Sequence, residues 1–314
     1  FRRVLFRSKE TGATSTLPPH VSRLFMDSRA ERDAHWAVNS PDLFTAPGCV
    51  PLPDWYESLW LGRSVTEPWP QPVDHSAFRL GLYFESLWHH LLSDHRDHRM
   101  VAHNLRFEGQ GRTLGELDLL VQGRELEHWE LTVKLYLCVG DPNEAHHWVG
   151  PNLHDNLKKK REHLQHQQLK RHLEPQIKTQ LIDQFGCEIS KVRALIKGWA
   201  FYPLATFANP PPKPQFMNPN HLGGWWATPH QLKSWFKDPS VRFEPLEKKF
   251  WLSPMTERDV VNRLSCTQLI ETCKPLSRPR LVAVIDQRGY ERERGFLVSD
   301  EWLNQAKSAV GLTS

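Results

Sequence analysis

Between Gly115 and Lys134 the chain reads Gly-Glu-Leu-Asp-Leu-Leu-Val-Gln-Gly-Arg-Glu-Leu-Glu-His-Trp-Glu-Leu-Thr-Val-Lys, two strand-length runs broken at Gln122-Gly123-Arg124. Successive side chains of a strand point to opposite faces, so Glu116 and Asp118 share one face of the first run, and Glu130, Thr132 and Lys134 share one face of the second. Leu117, Leu119, Val121, Leu131, Val133 and Leu135 occupy the alternate positions and require an apolar neighbour. A hairpin centred near Arg124 sets Asp118 across from Glu130 and Glu116 across from Thr132. Three carboxylates and a lysine then converge on one side, and the other side is core. Gathered like charges repel, and a fold that collects them usually has a cation to hold.

Around this hairpin the pattern predicts a helix over Asp27–Val38, stopped at Asn39-Ser40-Pro41, and an irregular proline-rich stretch from Pro41 to Pro72. Trp55, Tyr56, Leu59, Trp60 and Trp69 in that stretch call for burial. A helix over Arg79–Leu92 follows from Leu80, Phe84, Leu87, Trp88 and Leu91 at spacings of three and four, with Glu85 inside the pattern. Strands are expected at Ala102–Glu108, Gly115–Gln122 and Leu126–Val139, then a long helix from Gly150-Pro151-Asn152 to about Leu173 that Pro175 ends, then a strand at Arg193–Tyr202. Beyond Asn220 short Trp-rich elements are expected: a helix Pro229–Lys237, a strand around Lys249–Leu252, a helix Glu257–Cys273 and a strand Arg280–Asp286. The implied organisation is an N-terminal helix and wrap (residues 1–78), an α/β core (79–203), a proline-rich linker (204–220) and a C-terminal α+β lobe (221–314).

A chain of 314 residues with 13 Trp and 15 Phe can fill a sizeable core. A net charge of +4 does not by itself mark a nucleic-acid binder, although the 40 Lys and Arg can still concentrate on one face. The five cysteines are scattered and odd in number, which argues against a disulfide framework and a cysteine zinc site and for a reducing, cytoplasmic setting. No run reaches the roughly 18 apolar residues of a membrane helix, so no membrane partner is expected. The first eight residues, which lack an initiating Met, receive no functional weight. His89-His90, His95 with His98, His146-His147 and His163 with His166 lack a zinc-site arrangement with an acid and read as surface histidines.

The order helix, three strands, helix, strand, with Glu85 on the first helix, Asp118 on the second strand and Glu130 to Lys134 on the third, resembles the PD-(D/E)XK nuclease superfamily. Trp129-Glu130-Leu131-Thr132-Val133-Lys134-Leu135-Tyr136-Leu137, Trp148-Val149-Gly150-Pro151-Asn152 and the upstream Glu31-Arg32-Asp33, Trp36 and Ser40-Pro41 look like an uncharacterised bacterial family assigned to it. The resemblance spans roughly residues 30–300 and implies a mixed central sheet flanked by helices. It also implies metal-assisted hydrolysis of DNA or RNA phosphodiesters. Mg²⁺ or Mn²⁺ would be held by Asp118 and Glu130, Lys134 would orient or deprotonate the attacking water, and Glu85 would reach the edge of the site. Many superfamily members carry a Lys or Gln on the helix after the strands that contacts phosphate or the water shell, which makes Lys160 and Gln168 candidates, and Lys158 belongs to the same basic run. One departure stands out. The superfamily's second acid lies two residues before the lysine, where this chain has Thr132; Glu130 is four residues away, about 13 Å along a strand. Either Glu116 fills the space beside Thr132, or the fold has kept nucleic-acid or protein binding and lost catalysis.

Plainer readings compete at each point. Asp118, Glu130 and Lys134 could decorate a solvent-facing hairpin with cross-strand pairs worth under about 1 kcal/mol; the apolar stretch Leu131–Val139 suits a central strand instead. Lys158–Arg161 also fits a solvated helix face. Trp225, Trp226, Trp235 and Trp251, interleaved with lysines, suit base stacking or the core of a small lobe.

Overall fold

The computed structural model describes residues 28–46, 68–70 and 79–312, apart from 94, 96, 110 and 211. Trp55, Tyr56, Leu59, Trp60, most of the proline-rich stretch and the first eight residues lie outside the described residues.

Helix α1 (Arg29–Asn39) starts where Ser28 and Glu31 form a reciprocal cap, Ser28 Oγ accepting from Glu31 N and Glu31 Oε2 from Ser28 N. It stops at Ser40-Pro41, as the proline dictates. Helix α2 (Leu80–Ser93) buries Phe84, Leu87, Trp88 and Leu91, the spacing that predicted it. Three antiparallel strands follow, β1 (Arg99–Gly109), β2 (Arg112–Gln122) and β3 (Leu126–Cys138), then the two-residue strand β4 (Trp148–Val149).

The single long helix expected to Leu173 is instead three pieces. Helix α3 (Leu157–His166) begins one residue after its cap Asn156, a 3-10 turn covers Gln168–Leu173, and helix α4 (Pro175–Phe185) begins at Pro175. Proline lacks the N–H that a first helical position does not use, so Pro175 starts a helix rather than ending one. Strand β5 (Lys191–Pro203) returns parallel to β3.

Residues 204–220 do not set a second body apart. Helix α5 (Leu204–Ala208) leads to β6 (Leu222–Ala227), which pairs directly along β5, Trp199 opposite Leu222 and Pro203 opposite Trp226. Helix α6 (Pro229–Trp235), β7 (Arg242–Pro245), helix α7 (Cys266–Thr272), β8 (Arg280–Ile285), β9 (Glu291–Leu297) and helix α8 (Asp300–Ala309) complete the chain. The strand expected at Lys249–Leu252 is a 3-10 turn, Lys248–Phe250, and the helix expected from Glu257 starts only at Cys266, after its cap Ser265.

The result is one mixed nine-stranded sheet in the order β1-β2-β3-β5-β6-β9-β8-β7, with β4 on β3. Its centre, β3-β5-β6-β9, is parallel, and both ends are antiparallel. The core crosses the expected linker: Leu119, Trp129 and Trp88 belong to the same apolar cluster as Trp226, Phe296 and Trp302. Fully buried leucines such as Leu87 and Leu119 each contribute about 1.5–3 kcal/mol by leaving water. Tyr136, Cys138, Leu157, Leu164 and Leu169 form a second cluster where α3 covers β3. Among the described residues no helix is long and apolar enough to cross a membrane.

Candidate active site

The hairpin pairs in the expected register, Gln122 with Leu126 through Leu119 with Trp129, a progression that brings Asp118 level with Glu130. There the ladder ends. Leu131 N donates to Asp118 Oδ2 at 2.9 Å, so a carboxylate rather than a carbonyl satisfies the first amide beyond it. β3 continues beside β5 on one side through Leu137, and on the other, among the described residues, regains a partner only at Leu137 and Cys138, where β4 pairs with it. A window is left along β3 between Glu130 and Tyr136. Lys134 lies inside that window, and Gly198 faces it from β5; at φ 150° a side chain there would drive its Cβ into the Lys134 carbonyl oxygen.

Glu130 is 3 % exposed. Its Oε1 is 2.9 Å from His128 Nε2, and its Oε2 accepts from Gln168 Nε2 at 2.6 Å. Gln168 in turn accepts from Lys160 Nζ at 2.9 Å. Burial pushes the Glu130 carboxyl up to about 7, against the pull of Lys160 and Arg171. Asp118 rises to about 7 as well, first by burial and then by the charge on Glu130, with the Leu131 amide opposing. The charge on Glu130 thus favours the protonated form of its neighbour Asp118.

Glu85 reaches the same place from α2. Its carboxyl is raised by burial and by the charge on Asp118, with the Asn104 side chain opposing. Glu116 is turned to the side, paired with Arg106 at 2.9 Å, while its backbone carbonyl accepts from Arg171. Lys134 is drawn away from Glu130: its Nζ lies 2.5 Å from Asp155 Oδ2. Asp155 also accepts from the Asn156 amide and, at 3.2 Å, from the Tyr136 hydroxyl. Burial and the neighbouring Lys134 lower the pKa of Lys160, and Glu130, Asp118 and Asp155 resist that shift. Lys158 is exposed on the first turn of α3.

Thus Asp118, Glu130, Glu85, Lys160 and Gln168 come together, Lys134 turns to Asp155 near enough to act on Lys160, and Glu116 and Lys158 stand at the margin. Sequence reasoning missed Asp155, His128, Asn104 and Arg171. His128 had a visible signal, since it alternates with Glu130 and must share its face. Asp155 before Asn156 reads as ordinary capping chemistry, and nothing marks Asn104, whose φ of 46° belongs to the left-handed region that asparagine tolerates better than most residues.

The donor chemistry suits a hard divalent cation: buried Glu130 and half-buried Asp118 both have raised pKa values, and all the nearby acids offer oxygen. A ready-made cage is another matter. Among the described residues no three His, Cys, Asp or Glu side chains converge as metal ligands.

A family model described as a domain of unknown function, DUF1853, matches residues 32–298, a span that takes in every strand of the sheet. The chain belongs to the DUF1853 family. No curated protein and no solved structure matches it. For this DUF1853 chain the site geometry therefore has to carry the functional argument.

Proposed function

We propose that this DUF1853 chain is a metal-dependent phosphodiesterase acting on DNA or RNA, with a core of the PD-(D/E)XK kind. The observation that carries the reading is half-buried Asp118 beside buried Glu130 at the end of the β2–β3 ladder, both carboxyls raised, with Lys160 joined to Glu130 through Gln168 and Lys134 held by Asp155. A structural role alone gives little reason to set a second raised carboxyl beside a buried one. Asp118 and Glu130 would hold Mg²⁺ or Mn²⁺, with Glu116 and Glu85 at the margin, and such an ion when bound polarises a phosphoryl oxygen and acidifies water. Gln168 fixes the Glu130 carboxylate and carries Lys160 beside it. Lys160 and Lys134 present positive charge where a phosphodiester would gain negative charge, and Lys158 extends the basic surface outward.

The reading is tested by titrating Mg²⁺ and Mn²⁺ into the purified chain, with thermal stability and cleavage of single-stranded and duplex DNA and RNA as readouts. Metal-dependent stabilisation and cleavage are expected, both lost in Asp118→Ala, with cleavage alone lost in Lys134→Ala. Cleavage unchanged in both variants would refute these catalytic roles.

One observation favours a second reading, a non-catalytic module that binds nucleic acid or protein. Both Glu130 oxygens and the Lys134 amine already have protein partners. Binding of nucleic acid without cleavage at any metal concentration decides for it.

A further inference from the structure

Next to the window, the loop carrying Asp155 and the first turn of α3 face the end of α8 across a cavity of ≈ 500 Å³. The volume is within the range of small-ligand sites. Val149, Leu153 and Val310 give it an apolar lining, and Lys158 and Lys159 stand in its wall. The backbone amides of both lysines are already satisfied by Asn156 Oδ1, so any anion there meets the amines. Neither amine has an ion-pair partner among the described residues, although Glu162 also lines the cavity. The remaining acid in the wall is Asp155, which Lys134 neutralises. One side chain therefore separates this cavity from the proposed catalytic window. The loop is anchored from behind by α8, Trp302 Nε1 donating to the Pro151 carbonyl at 2.9 Å.

We propose that this cavity seats the nucleotide adjoining the phosphodiester held at Asp118 and Glu130, its base against Leu153 and Val310 and its phosphate between Lys158 and Lys159. The inference rests on the nucleic-acid reading above and narrows it. A base enters such a cavity only when it is unstacked, so the substrate class is a single-stranded polynucleotide, or a strand end that frays. A stacked duplex would have to break pairing to use it.

The test is fluorescence anisotropy of a labelled mixed-sequence oligonucleotide, single-stranded or duplex, with the full chain in chelator so that nothing is cleaved. Lys158→Ala/Lys159→Ala should weaken single-strand binding about tenfold or more. It should also flatten the dependence of log K on log salt by roughly 0.7, the share of one phosphate contact. Leu153→Asn should weaken binding with no change in that slope. Leu153 has φ 62°, a conformation asparagine accepts more readily than leucine, so this variant keeps the loop intact. Duplex binding should be weaker and indifferent to Leu153→Asn. Single-strand binding that ignores both variants overturns the cavity assignment and leaves the catalytic reading standing. Failure of the unaltered chain to bind either oligonucleotide overturns the nucleic-acid reading itself, and the cavity proposal with it.

Discussion

Replacing Asp118 by asparagine should stabilise the fold at alkaline pH while removing a group the proposed chemistry needs. Folding holds this carboxyl at about 7 against an ordinary value of 3.8, burial being the main cause and the Glu130 charge the next. A carboxyl raised in this way contributes stability that is full below its unfolded pKa and is lost as pH rises through its folded pKa. With those two values, the loss between about pH 5.5 and about pH 8.5 is about 2 kcal/mol. Asparagine abolishes that titration and keeps an oxygen to accept the Leu131 amide, so the end of the ladder is preserved. Glu130 is present in both proteins and its own titration cancels to first order in the difference. Urea unfolding in EDTA at the two pH values measures the effect directly. The original chain should lose about 2 kcal/mol more than Asp118→Asn across that interval. Parallel losses would show that Asp118 is not held protonated by its surroundings, and the strongest physical sign of a cation site would be gone.

Gly198→Ala places Cβ against the Lys134 carbonyl oxygen, a backbone atom in the middle of a parallel ladder, and should cost about 3 kcal/mol or more in chemical denaturation; a loss under about 1 kcal/mol would mean that β5 can shift freely beside the window. Arg193 binds Glu127 through Nε at 2.7 Å, and both side chains are buried. Arg193→Met should therefore cost about 3–5 kcal/mol by thermal or urea unfolding, and adding Glu127→Leu should recover part of it, because the damage comes from stranding a buried charge.

The hairpin was legible because its signal is local. Alternation fixes which residues share a face, Gln122-Gly123-Arg124 fixes the turn, and together they give the register observed from Leu119–Trp129 outward. The helical spacing of α2 was readable for the same reason. In the far half of the sheet the strand expected at Arg280–Asp286 is β8, but β6, β7 and β9 were not foreseen. Strand β6 reads Leu-Gly-Gly-Trp-Trp-Ala, and glycines weaken a strand prediction; yet at Gly224 a Cβ would meet the Phe201 ring at 2.6 Å, so the residue is there for close packing that only the folded sheet reveals. β9, Glu-Arg-Glu-Arg-Gly-Phe-Leu, looks like a solvated charged run. Its Arg294 is fully buried, held by nearby Glu291 and by the carbonyls of Trp251, Leu252 and Ser253, which lie far enough along the chain that no local pattern announces them. The site divides the same way. Asp118 and Glu130 follow from alternation, whereas the turn of Lys134 toward Asp155 depends on a loop whose path the sequence leaves open.

That division bears on what the Trp-rich half does. Trp225 is fully buried and Trp226 nearly so, which leaves their rings no face for a base; Trp235, about half exposed, is far from the window in chain order and sits on the short helix α6. Several of the indoles act as donors that tie one half of the sheet to the other. Trp226 Nε1 donates to the Cys138 carbonyl at the end of β3, Trp302 Nε1 to Pro151 in the loop that carries Asp155, and Trp199 Nε1 to Leu252. Catalytic or binding groups need supports that hold them to a fraction of an ångström, and here the end of β3 and the Asp155 loop are tied by residues 88 and 151 positions away. Residues of both halves share one buried apolar cluster, so the far strands help build the frame that holds the site.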